Sequence, residues 1–137
     1  MDPTVEPKDS MAHRPVSRKI LVVEDEHFIS ELYVRALTKA GYDVTVEVDG
    51  EKGYEQAKTN QFDIVLLDLM IPTITGIEVL RRLRGPGSQP LKSKIVITTN
   101  LEQREEIRAD IESQADAYLV KAEITPRELV EFLNTIK

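Results

Sequence analysis

Five short apolar runs alternate with segments of helical periodicity, and this alternation constrains the fold more than any other feature of the sequence. The runs resemble strands, and they span residues 19–23, 42–48, 62–68, 94–99 and 116–120. The first is typical of a strand buried on both faces, whereas residues 42–48 alternate with period two, as in a strand with one more exposed face. The first run is followed by apolar residues at helical spacing, namely Ile29, Leu32, Tyr33, Ala36, Leu37 and Ala40. Strands that alternate with helices require right-handed crossovers. The sequence therefore predicts an α/β fold in which five βα units form a parallel sheet with helices on both faces.

Three places in the sequence carry residues that typically begin helices. The segments 75–78 and 125–128 have the hydroxyl and carboxylate spacing of a capping box, and Pro126 suits the first position of a helix. Asn100 with Gln103 predicts a cap for the fourth helix.

Length and composition fit a single domain with few possible chemistries. The chain has 137 residues, 41% of them hydrophobic, and no cysteine, which excludes disulfides and thiolate metal sites. The net charge of −6 argues against nucleic acid as a partner and against a polybasic membrane anchor. No apolar run approaches the roughly 20 residues that span a bilayer, and no signal segment is visible. We expect a soluble, cytoplasmic protein with a flexible arm at residues 1–18 and one domain at residues 19–137.

Polar and charged side chains follow four of the five predicted strands. Glu24 and Asp25 come after the first, Asp68 ends the third, Thr99 ends the fourth and Lys121 follows the fifth. Each alone is more often a helix cap or a solvated side chain. Because the carboxyl ends of parallel strands meet at one edge of the sheet, however, we expect these side chains to converge there.

A cluster of carboxylates at this edge would need a cation. Two carboxylates about 4 Å apart repel each other by ~4 kcal/mol at an effective dielectric constant of about 20. A set of oxygen ligands without histidine or cysteine suits Mg²⁺, for which Mn²⁺ could substitute. Such an ion beside a hydroxyl and an ammonium group is suited to handling a phosphoryl group.

Four segments resemble one known family when they are taken in order. They read VVEDE, DIVLLDLMIPTITG, VITTN and YLVK. They are similar to the receiver domain of two-component response regulators, and most similar to the single-domain, chemotaxis-type receivers. Pro72 and Gly76, four and eight residues after Asp68, fit the phosphoacceptor loop of that family. The resemblance covers residues 19–137. It implies a flavodoxin-like (βα)5 fold with strand order 2-1-3-4-5 and leaves no room for an attached output domain.

The resemblance assigns the phosphoacceptor and the metal ligands. Asp68 would accept a phosphoryl group from a sensor histidine kinase or a histidine phosphotransfer protein. Glu24, Asp25, Asp68 and the backbone carbonyl of Met70 would hold Mg²⁺.

It also assigns the groups that respond to phosphorylation. Thr99 and Lys121 would contact the phosphoryl oxygens, with Thr98 as the alternative hydroxyl. Tyr118 matches the switch aromatic of the family, although an aromatic residue there could equally pack as an ordinary strand residue. A downstream protein would dock on the face of the fourth helix, fifth strand and fifth helix, and the domain would be a monomer or a phosphorylation-dependent dimer.

One departure from the family pattern concerns the residue after Lys121. Ala122 stands where the family usually has proline with a cis bond, and a cis bond at a non-proline residue costs ~2.5–4 kcal/mol. We therefore expect a trans linkage and a locally different turn.

Two other functions remain open on the sequence. A pseudo-receiver would bind partners without phosphorylation, but such proteins usually lack one of the acids or the lysine. An aspartate-nucleophile phosphohydrolase would need a second acid at position 70, where Met70 stands. We therefore expect no enzymatic turnover of an external substrate.

We predict that a phosphoryl group on Asp68 is lost slowly. Asn100 adds bulk near the expected site, and the flanking side chains of Met70 and Leu101 are apolar and cannot orient an attacking water. Following the phosphorylated protein by intact mass at neutral pH should show loss over minutes or longer. A lifetime of seconds would contradict this expectation.

Overall fold

Five parallel strands form the centre of the protein in the computed structural model, which describes residues 17–100 and 103–136. The strands are β1 (Lys19–Val23), β2 (Asp43–Glu47), β3 (Ile64–Asp68), β4 (Lys94–Thr99) and β5 (Ala117–Val120). They are ordered β2-β1-β3-β4-β5, and every neighbouring pair is parallel. This confirms the flavodoxin-like (βα)5 architecture and the strand order 2-1-3-4-5.

Five α-helices connect and cover the strands. They are α1 (His27–Lys39), α2 (Gly50–Ala57), α3 (Gly76–Arg84), α4 (Glu105–Glu112) and α5 (Pro126–Asn134). At the start of α3 the Thr75 hydroxyl accepts from the Glu78 N–H, which is one half of the predicted capping box. The Glu78 carboxylate accepts from Arg82. Thr125 and Glu128 form the complete capping box at α5.

The predicted cap of α4 is wrong. Neither Asn100 nor Gln103 caps this helix, which begins at Glu105 after Arg104 and has no side-chain cap. The backbone N–H of Gln103 instead donates to the hydroxyl of Tyr118 at 3.3 Å. A tertiary contact to β5 therefore replaces the local contact that the sequence pattern suggested.

The apolar strands are buried on both faces because each face carries its own helices. On one face, Leu21 and Val23 pack with residues of α2, α3 and α4, and on the other face Ile20 and Val22 pack with α1 and α5. The chain therefore winds in opposite directions on either side of the boundary between β1 and β3. In open α/β sheets, the carboxyl ends of the strands at such a boundary form the binding crevice.

The two ends of the domain meet near β1. The predicted arm at residues 1–18 lies outside the described residues except for Ser17 and Arg18. The guanidinium group of Arg18 donates to the carbonyl of Ile136 at 2.9 Å and so ties the start of β1 to the end of α5.

The connection from β5 to α5 is a short 3-10 turn at Lys121–Glu123. The part of the chain that the structure describes contains no cis peptide bond, which confirms the expected trans linkage between Lys121 and Ala122. Within residues 17–100 and 103–136, no helix is both long enough and apolar enough to cross a membrane.

Gly76 packs its backbone directly against the end of β3, so a side chain there should destabilise the fold. A Cβ atom at this position would stand 2.2 Å from the carbonyl oxygen of Asp68 and 2.7 Å from the Cα of Leu69. We expect Gly76→Ala to lower the free energy of unfolding by about 2 to 3 kcal/mol in urea titrations. Lys52→Ala, an exposed change in α2, should cost less than about 0.5 kcal/mol, and equal costs would contradict the packing argument.

Candidate functional site

Three carboxylates meet at the carboxyl edge of the sheet. Glu24 and Asp25 follow β1 and Asp68 ends β3, and these two strands are neighbours. One carboxylate oxygen from each residue lies within 4.8 Å of the others. Glu24 and Asp68 are buried, with relative exposures of 1% and 2%, whereas Asp25 is open to solvent. The fold therefore brings together the three acids that the sequence predicts at this edge.

Lys121 reaches across the end of β4 to join this cluster. Its ammonium group donates to Glu24 Oε1 at 2.5 Å and to Asp68 Oδ2 at 2.9 Å, and its side chain is only 6% exposed. Backbone N–H groups complete the contacts, since Glu26 donates to Glu24 at 3.1 Å and Met70 donates to Asp68 Oδ1 at 3.0 Å. The arrangement is a buried ion-pair network with two acids to one base.

The pKa shifts follow from this crowding. Burial raises the pKa of Glu24 above its ordinary value, and the charge of Asp68 raises it further, against the opposing effect of Lys121. Burial by itself would lower the pKa of Lys121, but the hydrogen bonds to Glu24 and Asp68 and the charges of these two acids together raise it. Lys121 therefore stays charged, and with Asp25 the cluster holds three carboxylates around one ammonium. Such a site favours a further cation.

The donor set fits a magnesium ion. Carboxylate oxygens are the hard ligands that Mg²⁺ prefers, and the exposed Asp25 leaves the cluster accessible from solvent. The backbone of Met70 lies beside the cluster through its hydrogen bond to Asp68, while its side chain is 68% exposed.

The hydroxyl candidates end β4. Thr98 and Thr99 are both buried, with Thr98 in register with Asp68 of β3 and Thr99 in register with Val120 of β5. Thr99 is therefore closer in register to Lys121, which follows Val120 directly. Asn100 is exposed beside them, and Leu101, expected to limit access to the site, lies outside the described residues.

Tyr118 connects β5 with α4. The residue is 8% exposed, the guanidinium carbon of Arg108 lies 4.4 Å from its ring centroid, and its hydroxyl accepts from Gln103. These contacts join Tyr118 of β5 to α4 and to the segment that precedes it.

The loop after Asp68 is pinned to the start of α2, a contact that sequence analysis missed. Gly50 N–H donates to the carbonyl of Pro72 at 2.9 Å, and Glu51 N–H donates to the Thr73 hydroxyl at 3.1 Å. Thr73 has a φ of 74°, a backbone conformation that is rare for a β-branched residue. No spacing rule in the sequence indicates this contact, because it joins a loop to the first turn of a helix that is distant in the chain.

We expect Lys121→Met to destabilise the protein because it leaves Glu24 and Asp68 buried without their cation. The free energy of unfolding without metal should fall by about 3 kcal/mol or more, and Mg²⁺ should raise the melting temperature more in the variant than in the wild type. Lys58→Met removes a half-exposed pair with Glu55 and should cost less than about 1 kcal/mol. Similar losses in both variants would contradict the buried network.

Comparison with known proteins identifies the family. The family model described as "Response regulator receiver domain" matches residues 20–134. The response regulator ArlR of Staphylococcus saprophyticus is 37% identical over 119 residues, which cover 87% of this chain and 50% of that protein. ArlR of Staphylococcus aureus is 34% identical over 87% of this chain and 51% of its own length. The chain thus spans about half the length of the curated relatives that it matches.

Solved structures agree with the family model. The receiver domain of Francisella response regulator 1452 is 28% identical with a TM-score of 0.76, covering 87% of this chain and 95% of that one. The BeF3-activated N-terminal receiver domain of Klebsiella pneumoniae RstA is 32% identical with a TM-score of 0.72, covering 86% of this chain and 97% of that one. The chain therefore belongs to the response regulator receiver domains of two-component signalling systems.

Proposed function

We propose that Asp68 accepts a phosphoryl group from a sensor histidine kinase or a histidine phosphotransfer protein, and that this switches a partner-binding surface. The observation that carries the proposal is the contact of Asp68 with the Lys121 ammonium beside two further carboxylates. Asp68 is thus an acid at the binding crevice of the sheet, next to a fixed positive charge.

The chemistry follows from the groups at this edge. A carboxylate oxygen of Asp68 attacks the phosphorus of a phosphohistidine, the phosphorus–nitrogen bond breaks, and its electron pair stays on the imidazole nitrogen. Negative charge on the transferring phosphoryl group is stabilised by Lys121, which is already held at 2.9 Å from Asp68. Positioning and charge neutralisation supply most of the catalysis in such a transfer.

Glu24, Asp25, Asp68 and the backbone carbonyl of Met70 would hold Mg²⁺, for which Mn²⁺ could substitute. When bound, the ion neutralises charge that otherwise repels an incoming phosphoryl group. The excess of carboxylates over ammonium groups in the cluster supports this assignment.

The switch would run from Asp68 to the face formed by α4, β5 and α5. A phosphoryl group on Asp68 offers new acceptors to the hydroxyl of Thr99 and to Lys121. Movement of Thr99, which ends β4, would act on Tyr118 of β5, whose contacts with Arg108 and Gln103 connect it to α4. A downstream protein would read the resulting change on this face.

The residues present fit the alternative functions less well than phosphorylation of Asp68. A phosphorylation-independent adaptor is the alternative function, but the acids and the lysine that phosphorylation requires are all present and in contact. No turnover of an external substrate is expected, since Met70 occupies the position of the second acid that a phosphohydrolase needs. The net charge of −6 supports a protein partner rather than nucleic acid.

Four further expectations stay predictions. These are a stand-alone role, a cytoplasmic location with no membrane contact, slow loss of the phosphoryl group, and a monomer or phosphorylation-dependent dimer. The matched region is about half the length of the curated relatives, so a stand-alone role is a prediction for this chain and not a property of those relatives.

Phosphorylation can be measured directly with acetyl phosphate. In the presence of Mg²⁺, intact-mass analysis should show one added phosphoryl group on the wild type and on Asp43→Asn, an exposed change at the start of β2. Asp68→Asn should gain none, because it lacks the nucleophilic oxygen, and EDTA should abolish the gain in all cases. An unmodified wild type would favour the adaptor, and a phosphorylated Asp68→Asn would place the phosphoacceptor elsewhere.

A further inference from the structure

Tyr33 of α1 is a buried phenol with no assigned role. It is 5% exposed and packs among apolar residues that include Val22 and Leu37. Its hydroxyl makes no hydrogen bond within residues 17–100 and 103–136. By contrast Tyr42, 7% exposed in the same cluster, donates its hydroxyl to Asn134 Oδ1 at 2.8 Å. Burying a hydroxyl without a hydrogen-bond partner costs free energy of folding, so a tyrosine at position 33 needs an explanation.

Tyr33 lies on α1, and the N-terminus of this helix is next to the acidic cluster. Side chains on a helix tilt toward its N-terminus, and α1 begins at His27, three residues after Glu24. The charges of Lys121, Glu24 and Asp68 all act on the phenol, although burial is the main reason why its pKa is raised. The hydroxyl therefore stays neutral at physiological pH and lies within electrostatic reach of the site.

Lys121 has one donor more than it uses. An ammonium group carries three N–H donors and no acceptor, and two of them bind Glu24 and Asp68. The third makes no hydrogen bond in the part of the chain that the structure describes. With only 6% of the side chain exposed, bulk water has little access to this group.

A divalent cation at the acidic cluster would compete with Lys121. Both positive charges would need oxygens of Glu24 and Asp68, and they would repel each other at close range. An ammonium group that loses carboxylate contacts while still buried needs another acceptor, because a buried charge without hydrogen bonds is strongly unfavourable.

We propose that the Tyr33 hydroxyl is this acceptor, and that it receives the Lys121 ammonium when a divalent cation takes the carboxylate oxygens of Glu24 and Asp68. The inference rests on the metal site of the proposed function. Tyr33 acts as a positioning residue, since it would touch neither the phosphoryl group nor the metal. It would lower the cost of metal binding and hold Lys121 beside the site, within reach of an incoming phosphoryl group.

The test compares Tyr→Phe variants at two buried tyrosines of the same cluster, Tyr33 and Tyr42. Tyr33→Phe should leave the melting temperature of the metal-free protein unchanged or higher, because the lost hydroxyl has no partner there. Its Kd for Mg²⁺, measured by isothermal titration calorimetry, should rise about three- to tenfold, the typical worth of one hydrogen bond. Tyr42→Phe should lower the melting temperature through loss of the bond to Asn134 and leave the Kd unchanged.

A double-mutant comparison assigns the effect to Lys121. In a Lys121→Met background no ammonium group needs an acceptor, so adding Tyr33→Phe should not change the Kd for Mg²⁺ further. Three results would overturn the inference. The first is an equal loss of Mg²⁺ affinity in both backgrounds, and the second is an unchanged Kd in Tyr33→Phe alone. The third is a melting temperature of Tyr33→Phe as low as that of Tyr42→Phe. Absence of Mg²⁺ binding by the wild type would contradict the metal site as well, whereas the other results leave the proposed function intact.

Discussion

The ammonium group of Lys121, shared between Glu24 and Asp68, is the interaction on which the site depends. Burial raises the pKa of Glu24, and repulsion from the neighbouring carboxylate of Asp68 raises it further, so the two acids by themselves would favour protonation. The Lys121 ammonium stabilises the charged forms of Glu24 and Asp68 but does not neutralise the cluster completely. The remaining negative charge would favour a bound cation, so the proposed metal site and the stability of the cluster depend on the same imbalance of charge.

The strand order of the sheet brings the loops that carry the acids next to each other. Because β1 lies between β2 and β3, the loops after β1 and β3 open side by side where the winding direction reverses. The apolar strands fix these loop ends with buried contacts on both faces. The buried contacts of the sheet can therefore offset the repulsion between the carboxylates at its carboxyl edge.

The fold and the members of the site could be predicted from the sequence, whereas their contacts could not. Alternating strand and helix patterns indicated the sheet, and residues at the strand ends indicated the acids and Lys121. The cap predicted at Asn100 is wrong. The backbone N–H of Gln103 instead donates to the hydroxyl of Tyr118, a partner 15 residues away that no local pattern indicates. In the sequence Tyr33 looks like one more apolar position of α1. Only the packed structure shows that it is a buried phenol whose hydroxyl makes no hydrogen bond among the residues that the structure describes.

The close approach of Gly76 to the carbonyl of Asp68 has a consequence for how this domain transmits a signal. The main chain at Asp68 is in direct contact with the first turn of α3, and a Cβ atom at Gly76 would not fit there. If Asp68 is phosphorylated as proposed, this flank leaves the main chain little room to respond. The change would then be transmitted mainly through side chains, along β4 and β5.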